Sequence, residues 1–100
     1  MSDDDLEVIR GSGNVYRDFG QADADLRQLK ALLAAEVVKT LDARGLTVRA
    51  AQAETGVAAA DFSRLRNASL QRFTVDRLMT ILARLNREVR VAVEVRDRAA

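Results

Sequence analysis

The chain has 100 residues, the size of one domain with one small core, and its 48% hydrophobic and 31% charged residues are typical of a folded protein. It contains no cysteine and no histidine, which excludes disulfides and Ser–His or Cys–His nucleophile pairs and removes the ligands of most zinc sites. No apolar run approaches the roughly 20 residues of a membrane helix, and no leader is recognisable. We therefore expect a cytoplasmic protein without membrane contact, cofactor, metal or enzymatic activity.

The charge is divided along the chain. Residues 1–25 carry seven acidic and two basic side chains, a net of −5, whereas residues 26–100 carry fourteen basic and eight acidic ones, a net of +6. An acidic tail on an arginine-rich body is a pattern of nucleic-acid or partner binding. A solvated surface with chance asymmetry is the alternative interpretation.

The first part of the chain predicts an arm rather than a packed element. Residues 1–5 are polar and acidic, and residues 6–20 hold three of the five glycines, with a turn indicated at residues 11–14. The lysine and hydroxyl residue of a phosphate-binding loop do not follow these glycines. We therefore divide the chain into an acidic, glycine-containing arm (residues 1–20) and a folded domain (residues 21–100).

Helical periodicity predicts four helices in the domain, over residues 23–44, 47–55, 59–67 and 74–85. Thr47 and Thr74 are suitable N-caps, and Gly45 and Gly56 can adopt the left-handed conformation that ends a helix. The first helix is the longest, and its apolar residues recur at steps of three and four: Leu26, Leu29, Leu33, Val37 and Leu41.

Residues 47–67 have the pattern of a helix-turn-helix. Ala51 is small where two helices approach closely, and Gly56 is placed where the chain turns. Val57, Phe62 and Leu65 are spaced to enter the core. The pattern predicts two helices that cross steeply, the second exposed along one side, with a plain helical hairpin as the alternative.

Over residues 88–95 the apolar residues no longer recur with the helical period of 3.6 but alternate with a period of 2, which predicts a β-strand. A strand needs a hydrogen-bonding partner, which is either residues 7–10 of the arm or the same strand of a second copy. We favour a homodimer with a two-fold antiparallel ribbon. Its interface would consist of the four alternating valines, Val89, Val91, Val93 and Val95.

Nearly the whole chain resembles the Xre-type helix-turn-helix proteins that act as antitoxins in HigBA-type toxin–antitoxin pairs. The similar segments are GSGNVYRDFG (11–20), the set Leu46-Thr47, Gly56-Val57 and Ser63-Arg64-Leu65, FTVDRL (73–78) and the closing strand. The resemblance implies an all-α, five-helix, lambda-repressor-like helix-turn-helix domain with one C-terminal dimerising β-strand. It also implies a dimer that binds double-stranded operator DNA, represses its own operon and neutralises a basic, RelE-like ribonuclease toxin.

The chain departs from the family pattern around the second helix of the motif. Gln52 stands where a small alanine is usual, Ala58 replaces a capping Ser or Thr, and Ala68 replaces a glycine. The run of alanines at residues 58–60 has no hydrogen-bonding side chain, and alanine can contact only a thymine methyl group. Base recognition would then depend on residues later in the helix.

The predicted DNA-binding residues form two groups. The candidates for reading bases are Ser63, Arg64, Arg66 and Asn67, with Gln52 as a further one, and those for contacting the phosphate backbone are Thr47, Arg49 and Arg72. Each has a structural alternative: solvated arginines, a Ser63 hydroxyl bonded to its own helix, and Asn67 as a C-cap.

Two other functions stay open at this point. One is a stand-alone Xre-type regulator without a toxin. The other is a protein-interaction module that has lost DNA binding, which the alanine run favours and the arginine bias disfavours.

Overall fold

A computed structural model of the protein describes residues 22–97. These residues form four helices, α1 (Ala22–Arg44), α2 (Val48–Thr55), α3 (Ala59–Arg66) and α4 (Val75–Arg84). The four helices predicted from periodicity are confirmed in position and order, and their ends differ from the prediction by no more than one residue. The arm (residues 1–20) lies outside the described residues. None of the four helices is apolar over enough of its length to span a bilayer.

The architecture differs from the expected one in two respects. Residues 22–97 contain four helices and not five, and they are the four segments for which the spacing of apolar residues predicts a helix. The same residues contain no β-strand: residues 88–97 follow α4 without a strand ladder. A strand is held by backbone hydrogen bonds to a neighbouring strand, and the packed helices of one chain offer no such edge.

Helix α1 packs against both α3 and α4. Its predicted apolar stripe is buried in its second half, at Leu33, Val37 and Leu41. Leu26, near the beginning of the helix, is 46% exposed, so the stripe extends past the core at that end. The buried half supplies the surface on which the helix-turn-helix is mounted.

The predicted helix ends are confirmed. The hydroxyl of Thr47 accepts the Ala50 N–H of α2 at 3.0 Å, and the hydroxyl of Thr74 accepts the Arg77 N–H of α4 at the same distance. Each cap satisfies an N–H group that the first turn of a helix leaves without a partner. Gly45 and Gly56 follow α1 and α2 with φ of 63° and 78°.

The core joins all four helices. Phe62 and Leu65 of α3 are buried where this helix packs against α1 and α2, and Val57 of the turn and Ala51 of α2 belong to the same buried cluster, as the motif predicts. Burial of a side chain as large as Phe62 contributes about 1.5–3 kcal/mol to folding. The other large buried side chains come from α4 and the residue after it, namely Leu78, Ile81, Leu82 and Leu85.

A polar network fixes the chain where it leaves α4. The Arg87 guanidinium donates to the Thr40 hydroxyl at 3.0 Å and to the Glu36 carboxylate at 3.2 Å. The Thr40 hydroxyl donates in turn to the Glu36 carbonyl at 2.8 Å. Asn86 precedes this network with a left-handed φ of 61°. The C-terminal segment therefore departs from a point that is anchored on α1.

Candidate nucleic-acid interface

The turn between α2 and α3 is held by one threonine. The buried Thr55 hydroxyl donates to the Ala51 carbonyl at 2.6 Å and accepts the Val57 N–H at 3.1 Å. Gly56, between them, donates its N–H to the Gln52 carbonyl at 2.8 Å. These bonds place Val57 in the core and set the direction in which α3 begins.

Helix α4 also contacts this turn, through an arginine side chain. The Arg84 guanidinium donates to the Thr55 carbonyl at 3.0 Å. A Cβ atom added at Gly56 would lie 3.4 Å from the same guanidinium, and the left-handed φ of this residue is strained for any other side chain. Glycine is thus favoured at this position by its backbone conformation, whereas the contact with the flexible Arg84 side chain would be an ordinary van der Waals contact.

The beginning of α3 is capped by α2. Ala58, at the N-cap position, has no side chain that could accept a hydrogen bond. The Gln52 side-chain oxygen instead accepts the Ala59 N–H at 2.8 Å. Gln52 was predicted to contact DNA, and the structure places its oxygen on the backbone of α3. It joins the two helices of the motif across the turn.

The outward face of α3 lies opposite Phe62 and Leu65. Four residues share this face at helical spacing: Ala60, Ser63, Arg64 and Asn67. We call these four residues the α3 outer face. The Ser63 hydroxyl makes no hydrogen bond to any other group of residues 22–97. Three of the predicted base-reading residues, Ser63, Arg64 and Asn67, are therefore brought together.

Arg64 belongs to an ion-pair cluster that spans two helices. Its guanidinium donates to Asp61 Oδ1 at 2.8 Å, and the guanidinium of Arg77 on α4 donates to Asp61 Oδ2 at 3.4 Å. The Asp61 side chain is only 20% exposed. Arg77 is not among the residues predicted to bind DNA. Its position in the first turn of α4, shortly after the predicted Arg72, is the local signal that could have indicated it.

Arg66 lies away from the α3 outer face. Its guanidinium pairs with Asp42 of α1 at 2.9 Å. Both side chains border an open groove of about 470 Å³ between α1 and the loop after α3. The helical spacing that puts Leu65 in the core turns Arg66 towards α1, so it is not grouped with the other predicted base readers.

Asn67 ends α3 as its C-cap, and its N–H donates to the Ser63 and Arg64 carbonyls at 3.1 and 3.2 Å. Ala68 follows with a left-handed φ of 55°. The Ser69 N–H then donates to the Arg64 carbonyl at 2.9 Å, which completes a glycine-type helix ending without a glycine.

The predicted phosphate-contacting residues are exposed. Thr47 caps α2, and Arg49 follows it in the first turn. Arg72 lies in the loop before α4. Within residues 22–97 neither Arg49 nor Arg72 forms an ion pair, in contrast to Arg64, Arg66 and Arg77. Their charges are not offset by a bound carboxylate in this part of the chain.

Comparisons with known proteins agree with this geometry. A family model described as a helix-turn-helix domain matches residues 15–94. A solved structure described as an XRE family transcriptional regulator is 39% identical, with a TM-score of 0.68, over 78% of this chain and 90% of that one. No curated protein matches the chain.

Proposed function

The chain belongs to the Xre-type family of helix-turn-helix proteins, and from this premise we propose that it is a homodimeric antitoxin that represses its own operon. The family is a non-enzymatic class of DNA-binding transcriptional regulators. The proposal adds the operator, the dimer and a RelE-like ribonuclease toxin as partners of this chain.

The α3 outer face is the observation that carries operator binding. It presents Ser63, Arg64 and Asn67 from a helix whose other side is locked in the core by Phe62 and Leu65. A helix mounted in this way can enter the major groove, where an arginine binds the O6 and N7 of guanine through two hydrogen bonds.

Arg49 and Arg72 are suited to the phosphate backbone. Both are exposed arginines without an ion pair in the described chain, so contact with DNA breaks no existing interaction. Neutralised phosphates release counterions, and binding then weakens as the salt concentration rises. These contacts would orient the dimer on the duplex, whereas the α3 outer face would select the sequence.

Three exposed valines support the dimer. Val89 packs against the core, and beyond it Val91, Val93 and Val95 are 50%, 79% and 87% exposed. Pairing of this segment with its copy would cover these side chains and satisfy the backbone. The dimer would then present two α3 helices to successive major grooves, about 34 Å apart.

The antitoxin role rests on the arm and on the sequence resemblance. Residues 1–20 carry five acidic and two basic side chains, a net of −3, which opposes contact with phosphates and suits a basic ribonuclease. Val15, Tyr16 and Phe19 would supply apolar anchors within the arm.

Operator binding is tested by titrating the dimer with the duplex upstream of its own gene, at low and high salt. Arg64→Ala should weaken binding about tenfold or more, since a base contact by arginine contributes roughly 1–3 kcal/mol. Arg27→Ala, which removes the same charge from an exposed position on α1, is the matched control and should change the affinity little. Equal affinities for the wild type and Arg64→Ala would contradict the assignment of α3.

The antitoxin role is tested separately by co-expression with a neighbouring reading frame for a small basic protein. Formation of a complex and relief of growth inhibition are the expected results. A chain that binds the operator and rescues no such toxin would be a stand-alone Xre-type regulator.

A further inference from the structure

We propose that Asp61 is a positioning residue, which aims the guanidinium of Arg64 at a base edge and thereby sets the sequence preference of α3. The inference rests on the proposed operator binding. It goes further, because it assigns specificity to an acidic side chain that by its charge alone would only repel phosphate.

Both oxygens of Asp61 hold an arginine. Oδ1 accepts from Arg64 at 2.8 Å, one turn along the same helix, and Oδ2 accepts from Arg77 at 3.4 Å on α4. Because one partner belongs to a different helix, the carboxylate is held from two directions, and its side chain is largely shielded from water. A charge-assisted hydrogen bond to such a fixed acceptor restricts the rotamers of Arg64.

The direction of this restriction is towards the beginning of α3. Asp61 lies three residues before Arg64, so the ion pair holds the guanidinium back along the helix. The beginning of a recognition helix is the part that contacts base edges. Alanines at residues 58–60 offer no competing hydrogen bond there. The ion pair therefore brings the Arg64 guanidinium towards a stretch of α3 whose own side chains, at residues 58–60, are all alanine.

Positioning lowers the cost of reading a base. An unrestrained arginine loses rotamer freedom when it binds, and its fork binds phosphate as readily as guanine. Arg64 held by Asp61 keeps donors free for a base, since a guanidinium has five N–H groups. The carboxylate also reduces attraction to any phosphate nearby. Both effects raise the ratio of specific to non-specific affinity.

The test measures this ratio with wild type and Asp61→Asn. Each protein is used for selection from a library of random duplexes and is then titrated with the selected duplex and with a scrambled one. For Asp61→Asn we expect tighter binding to scrambled DNA and a steeper salt dependence. The preference for the selected duplex should fall at least about fivefold, the lower limit for one arginine–guanine contact.

Asp76→Asn is the matched control. Asp76 also lies in the first turn of a helix of the same domain, is exposed and forms no ion pair within residues 22–97. The Asp76→Asn substitution removes one negative charge without releasing an arginine, so it should leave the preference for the selected duplex unchanged. If both variants change the preference equally, the effect is one of net charge, and positioning by Asp61 is wrong.

A double-mutant cycle separates positioning from general damage to the fold. In an Arg64→Ala background, Asp61→Asn should no longer alter the preference, and Asp61→Glu in the otherwise wild-type chain should restore part of it. Melting curves of all variants verify folding. If Asp61→Asn does not fold, Asp61→Glu and Arg77→Ala, which frees the second oxygen, should each lower the preference.

The outcomes distinguish this inference from the proposed function. A wild-type protein that selects no sequence from the library contradicts operator binding itself. A wild-type protein that selects a sequence, with a preference that Asp61→Asn does not change, leaves operator binding intact and overturns the role of Asp61.

Discussion

The Ala59 N–H donates to the side-chain oxygen of Gln52 at 2.8 Å, so that α2 provides the cap that α3 lacks. The contact crosses the turn of the motif and links its two helices directly. It also gives Gln52 a structural role: Ala58, at the N-cap of α3, has no side chain that could cap this end of the helix, and Gln52 satisfies one of its free N–H groups.

Removal of the Gln52 cap should destabilise α3. We expect Gln52→Ala to lower the free energy of unfolding by about 0.5–2 kcal/mol, the usual loss when a helix cap is removed. Chemical denaturation followed by circular dichroism measures it. Ala58→Ser should recover part of the loss in the Gln52→Ala background, because residue 58 occupies the N-cap position of α3, where a serine hydroxyl can accept an N–H of the first turn. Unchanged stability of Gln52→Ala would show that water satisfies Ala59 equally well.

The ending of α3 provides a stabilising substitution. Ala68 has a left-handed φ of 55°, which costs an L-residue roughly 1–2 kcal/mol. Glycine removes this strain, but it makes the unfolded chain more flexible, which lowers stability by about 0.5–1 kcal/mol. Ala68→Gly should therefore raise the free energy of unfolding by up to about 1.5 kcal/mol. Ala53→Gly, at an exposed helical position of α2, is the control and should destabilise the protein. A destabilising Ala68→Gly would contradict the helix ending described here.

The ion pair of Arg66 separates it functionally from Arg64. We expect Arg66→Ala to leave base preference unchanged, since its guanidinium pairs with Asp42 on α1. Stability should fall by at most about 1 kcal/mol, because both side chains are partly exposed to water. Selection from random duplexes with Arg66→Ala and Arg64→Ala side by side measures the difference. Loss of preference at one base position in the Arg66→Ala variant would show that Arg66 does contact a base.

The exposed valines predict the oligomeric state. The double substitution Val91→Lys and Val93→Lys should give monomers or aggregated, unfolded material in sedimentation velocity, because the paired faces would carry like charges. Ala92→Lys adds a charge on the opposite side of the same segment and should leave a dimer. A folded dimer of unchanged affinity in the double variant would exclude residues 89–95 as the interface.

Deletion of residues 1–20 should separate the two proposed activities, which are DNA binding and toxin binding. We expect the shortened chain to dimerise and bind operator DNA as before, because the arm's net charge of −3 disfavours contact with DNA. Capture of a co-expressed basic toxin should be lost in an affinity pull-down. A shortened chain that still neutralises the toxin at full strength would place the toxin surface on the helices.

Local features of this fold were predictable from the sequence because their physical cause is local. The period of α1 and α4, the hydroxyl caps at Thr47 and Thr74 and the left-handed glycines at 45 and 56 each depend on neighbours within one or two turns. The core positions of the motif were predictable for the same reason, since helical spacing decides which side of α3 carries Phe62 and Leu65.

The partners of the polar side chains were decided by packing. Asp61 and Arg77 are 16 residues apart and Asp42 and Arg66 are 24 apart. Both pairs meet because α1 packs against α3 and α4 and so brings the three helices together. No local pattern distinguishes these arginines from Arg49 or Arg72. An arginine side chain is long and flexible, and the carboxylate it binds depends on which helices are brought within its reach. Local spacing therefore specifies the four helices and the buried face of α3, whereas packing between helices decides that Arg66 and Arg77 are held by carboxylates.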